Sequence, residues 1–180
     1  GELRVAELDE NGLLEAAAFE TLIDEQTLLV SVTHVSNVLG LFNDILPIAQ
    51  LAKQYQAKVL VDGAQAVSHG PLNLDLLGCD FYAFSGHKMY GPTGVGGLYI
   101  NASLVDDMSP YQLGGGIVGK VTQQQTNFVD GTDKFHSGTL NISALAGLTE
   151  AINFLDEIGW HDIKNHQNGL ARTLQDCLST

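Results

Sequence analysis

The sequence predicts an α/β fold: a mixed, mainly parallel sheet flanked by helices in three layers. Short apolar runs, rich in β-branched or aromatic residues, recur at Leu28–Val32, Lys58–Asp62 and Asp80–Phe84. Between the first two lies a segment of helical periodicity, from Asn43 or Asp44 to about Gln56. Strand, helix and strand in that order make a βαβ crossover, whose strands are parallel neighbours.

From the amino end, Leu3–Leu8 alternates as a short half-buried strand, Asp9–Gly12 is a turn, and Leu13–Ile23 sets Leu14, Ala17, Ala18 and Leu22 on one helical face. Leu28–Val32 reads as a fully buried strand. Its end delivers Thr33, His34, Ser36 and Asn37, which are turn or cap types but also stand where open α/β sheets bind ligands. The next helix is capped by Asn43 or Asp44, accepts Pro47 in its first turn, and turns Ile45, Ile48, Ala49 and Ala52 inward. Lys58–Asp62 then brings a carboxylate to the same sheet edge, with Gln65 three residues on. Asp62 there is either a cap, a metal ligand or a site residue.

Pro71–Leu77 is a connection with Asp75 as its cap, and Asp80–Phe84 feeds a Ser-Gly-His-Lys loop. The glycines from Gly91 to Gly97 match neither GxxxxGK[ST] nor a GxGxxG placed before a helix, so they read as tight turns into a strand at Gly97–Ile100. Asn101–Met108 is a short helix. Ser109–Gly138 is irregular, a length that implies a function, a partner or disorder. Asn141 caps a helix whose Ile142, Leu145, Leu148, Ile152, Leu155 and Ile158 are spaced by threes and fours, Gly159 closes it, and Trp160–Leu178 forms another with Ile163, Leu170, Leu174 and Leu178 as core contacts.

Composition narrows the function. The 180 residues are 44% hydrophobic and 16% charged, ordinary for a globular protein with one sizeable core. A formal charge of −13, with Arg4 and Arg172 as the arginines, leaves no basic patch for nucleic acid. No apolar run is long enough to span a bilayer, and the first residues lack a signal peptide's pattern, so a cytoplasmic protein without a membrane partner is expected. Cys79 and Cys177 lack CxxC spacing, which argues against a disulfide framework and a zinc site and for buried thiols. The chain starts without Met inside an apparent strand, so a piece of a longer protein is expected.

Lys88 stands just past a core strand. It is paired, turned to solvent, or kept uncharged by its surroundings as a nucleophile.

Three stretches in register decide among these. Thr33-His-Val-Ser-Asn-Val-Leu-Gly40, Val61-Asp-Gly-Ala-Gln-Ala-Val67 and Cys79-Asp-Phe-Tyr-Ala-Phe-Ser-Gly-His-Lys-Met-Tyr-Gly-Pro-Thr-Gly94, followed by Gly114-Gly-Gly116, resemble the cysteine desulfurase and selenocysteine lyase group. That group lies within the class V aminotransferase-like, fold type I pyridoxal-phosphate enzymes. The resemblance runs over nearly the whole chain. It implies the central part of the large domain at 1–158, with 109–139 as a loop at a homodimer interface, and the helical start of the following region at 159–180.

The resemblance also implies a cofactor, pyridoxal 5′-phosphate, and roles for residues. Lys88 would form the Schiff base and move the substrate α-proton. Ser85 and His87 would hold the phosphate, Asp62 the pyridine nitrogen, and Gln65 the phenolic oxygen. Asn37 would lie near the ring or the substrate carboxylate, and Thr139 would reach the phosphate of the other subunit. The substrate would be L-cysteine or L-selenocysteine, leaving as alanine, with a sulfur-acceptor protein as a possible partner. His136, Ser137 and Leu140 depart from the family's usual acidic, alanine and proline residues beside Thr139. No Arg-x-Gly-x-x-Cys pattern occurs, and Arg4, Arg172, Cys79 and Cys177 match no catalytic position, so a chain that holds cofactor but cannot finish sulfur transfer alone is expected. The alternatives are another class V aminotransferase or lyase, and a non-catalytic fragment that self-associates.

Overall fold

The computed structural model describes residues 1–179. Its main sheet has four strands in the order β1 (Leu29–Thr33), β2 (Lys58–Asp62), β3 (Phe81–Ser85) and β4 (Gly96–Ile100). The first three are parallel and β4 is antiparallel to β3, giving the mixed, mainly parallel sheet that the βαβ pattern predicts. Helices flank it: α1 (Ala17–Glu20), α2 (Ile45–Gln54), α3 (Leu74–Leu77), α4 (Ala102–Val105), α5 (Ile142–Ile158) and α6 (Trp160–Leu178). Thr180, the last residue of the helical region expected at 159–180, lies outside the described residues.

Strand register explains the core. Val30 pairs with Val59 and Val32 with Val61, so four β-branched side chains line one face of the sheet. The inward residues of α2, Ile45, Ile48, Ala49 and Ala52, bury against them as the periodicity predicts. Leu148 and Leu155 of α5 join the same cluster. The opposite face of β1 is open: Leu29 is 50% exposed, and Ser31 is exposed too. The expectation of a strand buried on both faces is therefore corrected: Val30 and Val32 pack into the core with α2, and Leu29 and Ser31 on the other face stay exposed.

Several local expectations change for physical reasons. Leu3–Leu8 is no strand, since nothing lies beside it to complete a ladder; Leu3, Val5 and Leu8 are exposed. The segment is tied down by the Arg4 guanidinium, which donates to Leu22 O at 2.8 Å and Asp24 Oδ2 at 2.7 Å. The helix expected over Leu13–Ile23 contracts to α1, as Leu14 N–H turns away to donate to Asn43 Oδ1 at 3.0 Å. Asn43 is thus no cap: its amide bridges Leu14 and Thr33 O, and Asp44 takes the cap position of α2 without a side-chain bond. Asn73, not Asp75, caps α3, accepting from the amides of Asp75 and Leu76.

The expected irregular stretch contains a two-stranded antiparallel sheet, β5 (Val118–Val121) with β6 (Thr126–Phe128), closed by Thr122 against Gln125. Ile117 beside it is fully buried. Asn141 caps α5 as predicted, accepting from Ala144 N–H at 3.2 Å, and Gly159 at φ 90° separates α5 from α6. Trp160 and Ile163 pack on the core, whereas Leu170, Leu174 and Leu178 are exposed rather than core contacts. Cys79 is buried and Cys177 exposed, which corrects the expectation of two buried thiols. No helix among the described residues is long and apolar enough to cross a membrane.

Candidate active site

Three parallel strands end together. Thr33 is level with Asp62, and Asp62 with Ala83, so β1, β2 and β3 send their next residues to one edge of the sheet. That edge is where ligands sit in open α/β sheets.

Asp62 closes β2 with an exposed side chain, and its Oδ1 accepts from Ala64 N–H at 2.9 Å. Gln65, half-buried, precedes a 3₁₀ turn at Ala66–Ser68, and its carbonyl accepts from Ser68 Oγ at 3.2 Å. Ser85 closes β3 and leads into a second 3₁₀ turn, Gly86–Met89, in which His87 is exposed, Lys88 half-buried and Met89 buried. The two turns pack against each other, which gathers Asp62, Gln65, Ser85, His87 and Lys88 at the ends of β2 and β3.

The lysine turn is fixed by its backbone. Gly86 N–H donates to Val95 O at 2.8 Å and Gly91 N–H to Gly86 O at 3.0 Å. A Cβ at Gly86 would come within 2.9 Å of Val95 O, and one at Gly91 within 2.8 Å of Leu148 Cδ1 of α5. Glycine is required at both by close approach. Tyr90 ends the turn at φ 65°, a left-handed conformation unfavourable for a ring-bearing residue and held by the surrounding bonds.

Asn37 and Thr139 lie on other segments than this group. Asn37 is exposed in the turn after β1, where Ser36 Oγ accepts from the amides of Val38 and Leu39. Thr139 is exposed, two residues before Asn141, the cap of α5, and next to Gly138, whose N–H donates to Gly115 O at 2.7 Å. Among the described residues no hydrogen bond or ion pair joins any of Asn37, Asp62, Gln65, Ser85, His87, Lys88 and Thr139 to another.

At this edge Tyr82 escapes the sequence reading, and His34, read there as a turn or cap type on the ligand side, takes another place. His34 is buried, not a turn residue, and its Nδ1 lies 3.0 Å from the Tyr82 hydroxyl. Burial pushes the His34 imidazolium pKa down. Burial first, then the charges of Cys79 and Asp62, push the Tyr82 phenol up. The inward alternation of Tyr82 on β3 was the available signal; its partner, 48 residues away, gave none.

Over residues 1–180 the chain matches the family model described as aminotransferase class-V. The chain belongs to that family. Among class V relatives it is 44% identical over 170 residues to a cysteine desulfurase of Shigella sonnei (strain Ss046), covering 94% of this chain and 42% of that protein. The fold of the cysteine desulfurase CsdA (S-sulfonic acid) from Escherichia coli superposes with a TM-score of 0.91 at 32% identity, over 96% of this chain and 43% of that one. The apo cysteine desulfurase from Thermococcus onnurineus NA1 also gives 0.91, at 34% identity, over 99% and 44%. This class V chain therefore spans less than half the length of the relatives it matches.

Proposed function

We propose that this chain supplies the pyridoxal-phosphate-holding core of an enzyme that removes sulfur, or selenium, from L-cysteine or L-selenocysteine and leaves alanine. The observation that carries the reading is the grouping of Asp62, Gln65, Ser85, His87 and Lys88 at the ends of β2 and β3, in a class V chain similar to cysteine desulfurases. The donor set fits the cofactor: a carboxylate for a ring nitrogen, an amine for an aldehyde, a hydroxyl and an imidazole for a phosphate. When bound, the cofactor supplies an electron sink for the substrate α-carbon.

The residues divide the work. Asp62 favours the protonated form of a pyridine nitrogen placed against it, by fixed negative charge. Ser85 and His87 donate to phosphate oxygens at the mouth of the lysine turn, and Gln65 donates to the ring's phenolic oxygen. Lys88 would hold the cofactor through its amine, and that amine, when free, would take and return the proton at the substrate α-carbon. Asn37 stands beyond β1, within the same edge, for the ring or the substrate carboxylate. Thr139, exposed and separate, suits donation to the phosphate of a neighbouring subunit in a homodimer.

Sulfur capture needs a mobile thiolate. Cys79 does not qualify, being buried with its pKa pushed up, first by burial and then by Asp80. Cys177 is exposed near the end of α6, in a helix rather than in a loop. The persulfide cysteine and the substrate-binding arginine accordingly come from outside these residues, and the chain alone does not complete transfer to an acceptor protein. A cytoplasmic setting belongs to the same reading.

The test is direct. Pyridoxal phosphate added to the chain should give a visible absorbance band that borohydride fixes at Lys88, and Lys88→Ala should remove both. A band that survives Lys88→Ala would sink the reading. Release of alanine and sulfide, assayed with the remaining desulfurase segments supplied, separates desulfuration from transamination.

A further inference from the structure

A buried polar pair lies beneath Asp62, and none of the roles above uses it. His34 Nδ1 and the Tyr82 hydroxyl are 3.0 Å apart, with His34 7% and Tyr82 2% exposed. Their rings meet edge to face, with centroids 6.0 Å apart at 89°, and Phe42 closes another side of His34 at 5.9 Å and 88°. Burial keeps the imidazole and the phenol both uncharged near neutrality. Inside so dry a site a neutral hydrogen bond holds firmly, because losing either partner leaves the other desolvated and unpaired.

The pair reaches Asp62 by two routes. His34 N–H donates to the Asp62 carbonyl at 2.8 Å, tying the end of β2 to β1. On the other side the Tyr82 ring lies directly against Gly63, so close that a Cβ there would overlap its Cε1, Cζ and hydroxyl. Gly63 N–H donates to Ala83 O at 2.8 Å, tying the same turn to β3. The Asp62 carboxylate is held in turn by the next amide, Ala64 N–H. The turn that aims this carboxylate is thus clamped between two strands, and among the described residues the side-chain bond joining the two clamps is His34 to Tyr82.

We propose that the His34–Tyr82 hydrogen bond is a strut that fixes the direction of the Asp62 carboxylate, making His34 and Tyr82 positioning residues for cofactor binding. The inference rests on the reading that Asp62 faces the pyridine nitrogen. Neither residue touches the cofactor in this account; both act through the Asp62–Ala64 turn.

Tyr82→Phe in the full chain tests this, because it deletes the hydroxyl and keeps the ring against Gly63. His34→Asn, whose amide stands at the place of Nδ1, is the conservative partner, with Asp62→Asn and Lys88→Ala alongside. In the chain without ligand, amide hydrogen exchange at Gly63 and Ala64 should quicken by about tenfold in Tyr82→Phe, the scale of one buried hydrogen bond, while Val61 is unaffected. On titration with pyridoxal phosphate, Tyr82→Phe should bind about fivefold more weakly, and its visible band should move in the direction that Asp62→Asn moves it. His34→Asn should stay near the wild type in both readouts, and Tyr82→Phe with Asp62→Asn should titrate as Asp62→Asn alone.

Unchanged exchange at both amides overturns the strut, and so does a uniform loss of protection along β1, β2 and β3, which marks ordinary destabilisation. A wild-type band and affinity in Tyr82→Phe, beside a shifted Asp62→Asn, overturns it as well. A wild-type chain without a visible band, or an Asp62→Asn chain identical to it, instead overturns the reading of Asp62. In that case exchange at Gly63 and Ala64 still decides whether the strut holds the turn.

Discussion

The ends of β2 and β3 and the segment that carries Thr139 are both parts of the proposed site, yet they are built on different principles. At the strand ends every turn is braced from below, by parallel ladders, by glycines in contact with Tyr82, Val95 and Leu148, and by the buried His34–Tyr82 bond. Around Thr139 the chain is exposed, and its backbone is tied by the Gly138 amide to the distant Gly115 carbonyl. The first region can orient a ligand by itself. The second has a single backbone tie beside it and its side chain in solvent, which suits a group offered to another surface.

The largest effect that would sharpen this contrast belongs to Gly63→Ala. No positive φ demands glycine there, so the cost is steric: the added methyl must displace a ring that is 2% exposed. Overpacking on this scale should cost about 3 kcal/mol in urea unfolding, with the slope unchanged. In a Tyr82→Leu background the same substitution should cost far less. A loss under about 0.5 kcal/mol would mean that the strand ends are as loosely built as the Thr139 segment.

Acid provides the next test. His34 has its folded-state pKa lowered by burial from an ordinary 6.5, so over the interval below 6.5 the unfolded chain binds a proton that the folded chain refuses. Stability should therefore be fully present above about pH 7 and decline as pH falls through 6.5 toward the lowered folded value. Urea midpoints at several pH values should show a shallower decline in His34→Gln. Asp9 and Asp24 also have lowered pKa values, from backbone bonding to Leu13 and from Arg4, but they begin from 3.8 and act only at lower pH. An identical slope in the variant and the wild type between pH 7 and 5 would place His34 in an environment no drier than water.

The same contrast separates what could be read in the amino acids from what could not. Lys58–Asp62, Asn141 and the span of α6 were legible because β-branched runs, cap residues and 3.6-residue periodicity act over a few positions. So was the gathering of Asp62 and Lys88, once two strand ends were recognised as neighbours. Leu3–Leu8 alternates like a strand but has nothing to pair with, and pairing is a long-range fact. Asn73 and Asp75 are both cap types, and the extended backbone at Asn73 alone chose between them. The brace of His34 on Tyr82 and the contact of Tyr82 on Gly63 join β1, β2 and β3, so no local pattern announces them. Likewise Leu170 and Leu174 repeat at helical spacing, which specifies a stripe without specifying what covers it.

The smallest expected effect is at Thr139. Its side chain is exposed and makes no hydrogen bond among the described residues, so Thr139→Ala should leave the urea midpoint of the isolated chain unchanged, within about 0.5 kcal/mol. Pyridoxal phosphate affinity of the isolated chain should not move either, because the strand-end residues act without it. The effect should emerge only when two subunits associate: affinity measured against protein concentration should rise in the wild type as dimers form, and stay flat in Thr139→Ala. A Thr139→Ala loss already present at concentrations where the chain is monomeric would place this threonine at its own strand ends, and the division between a self-braced half and an offered half would fail at that residue.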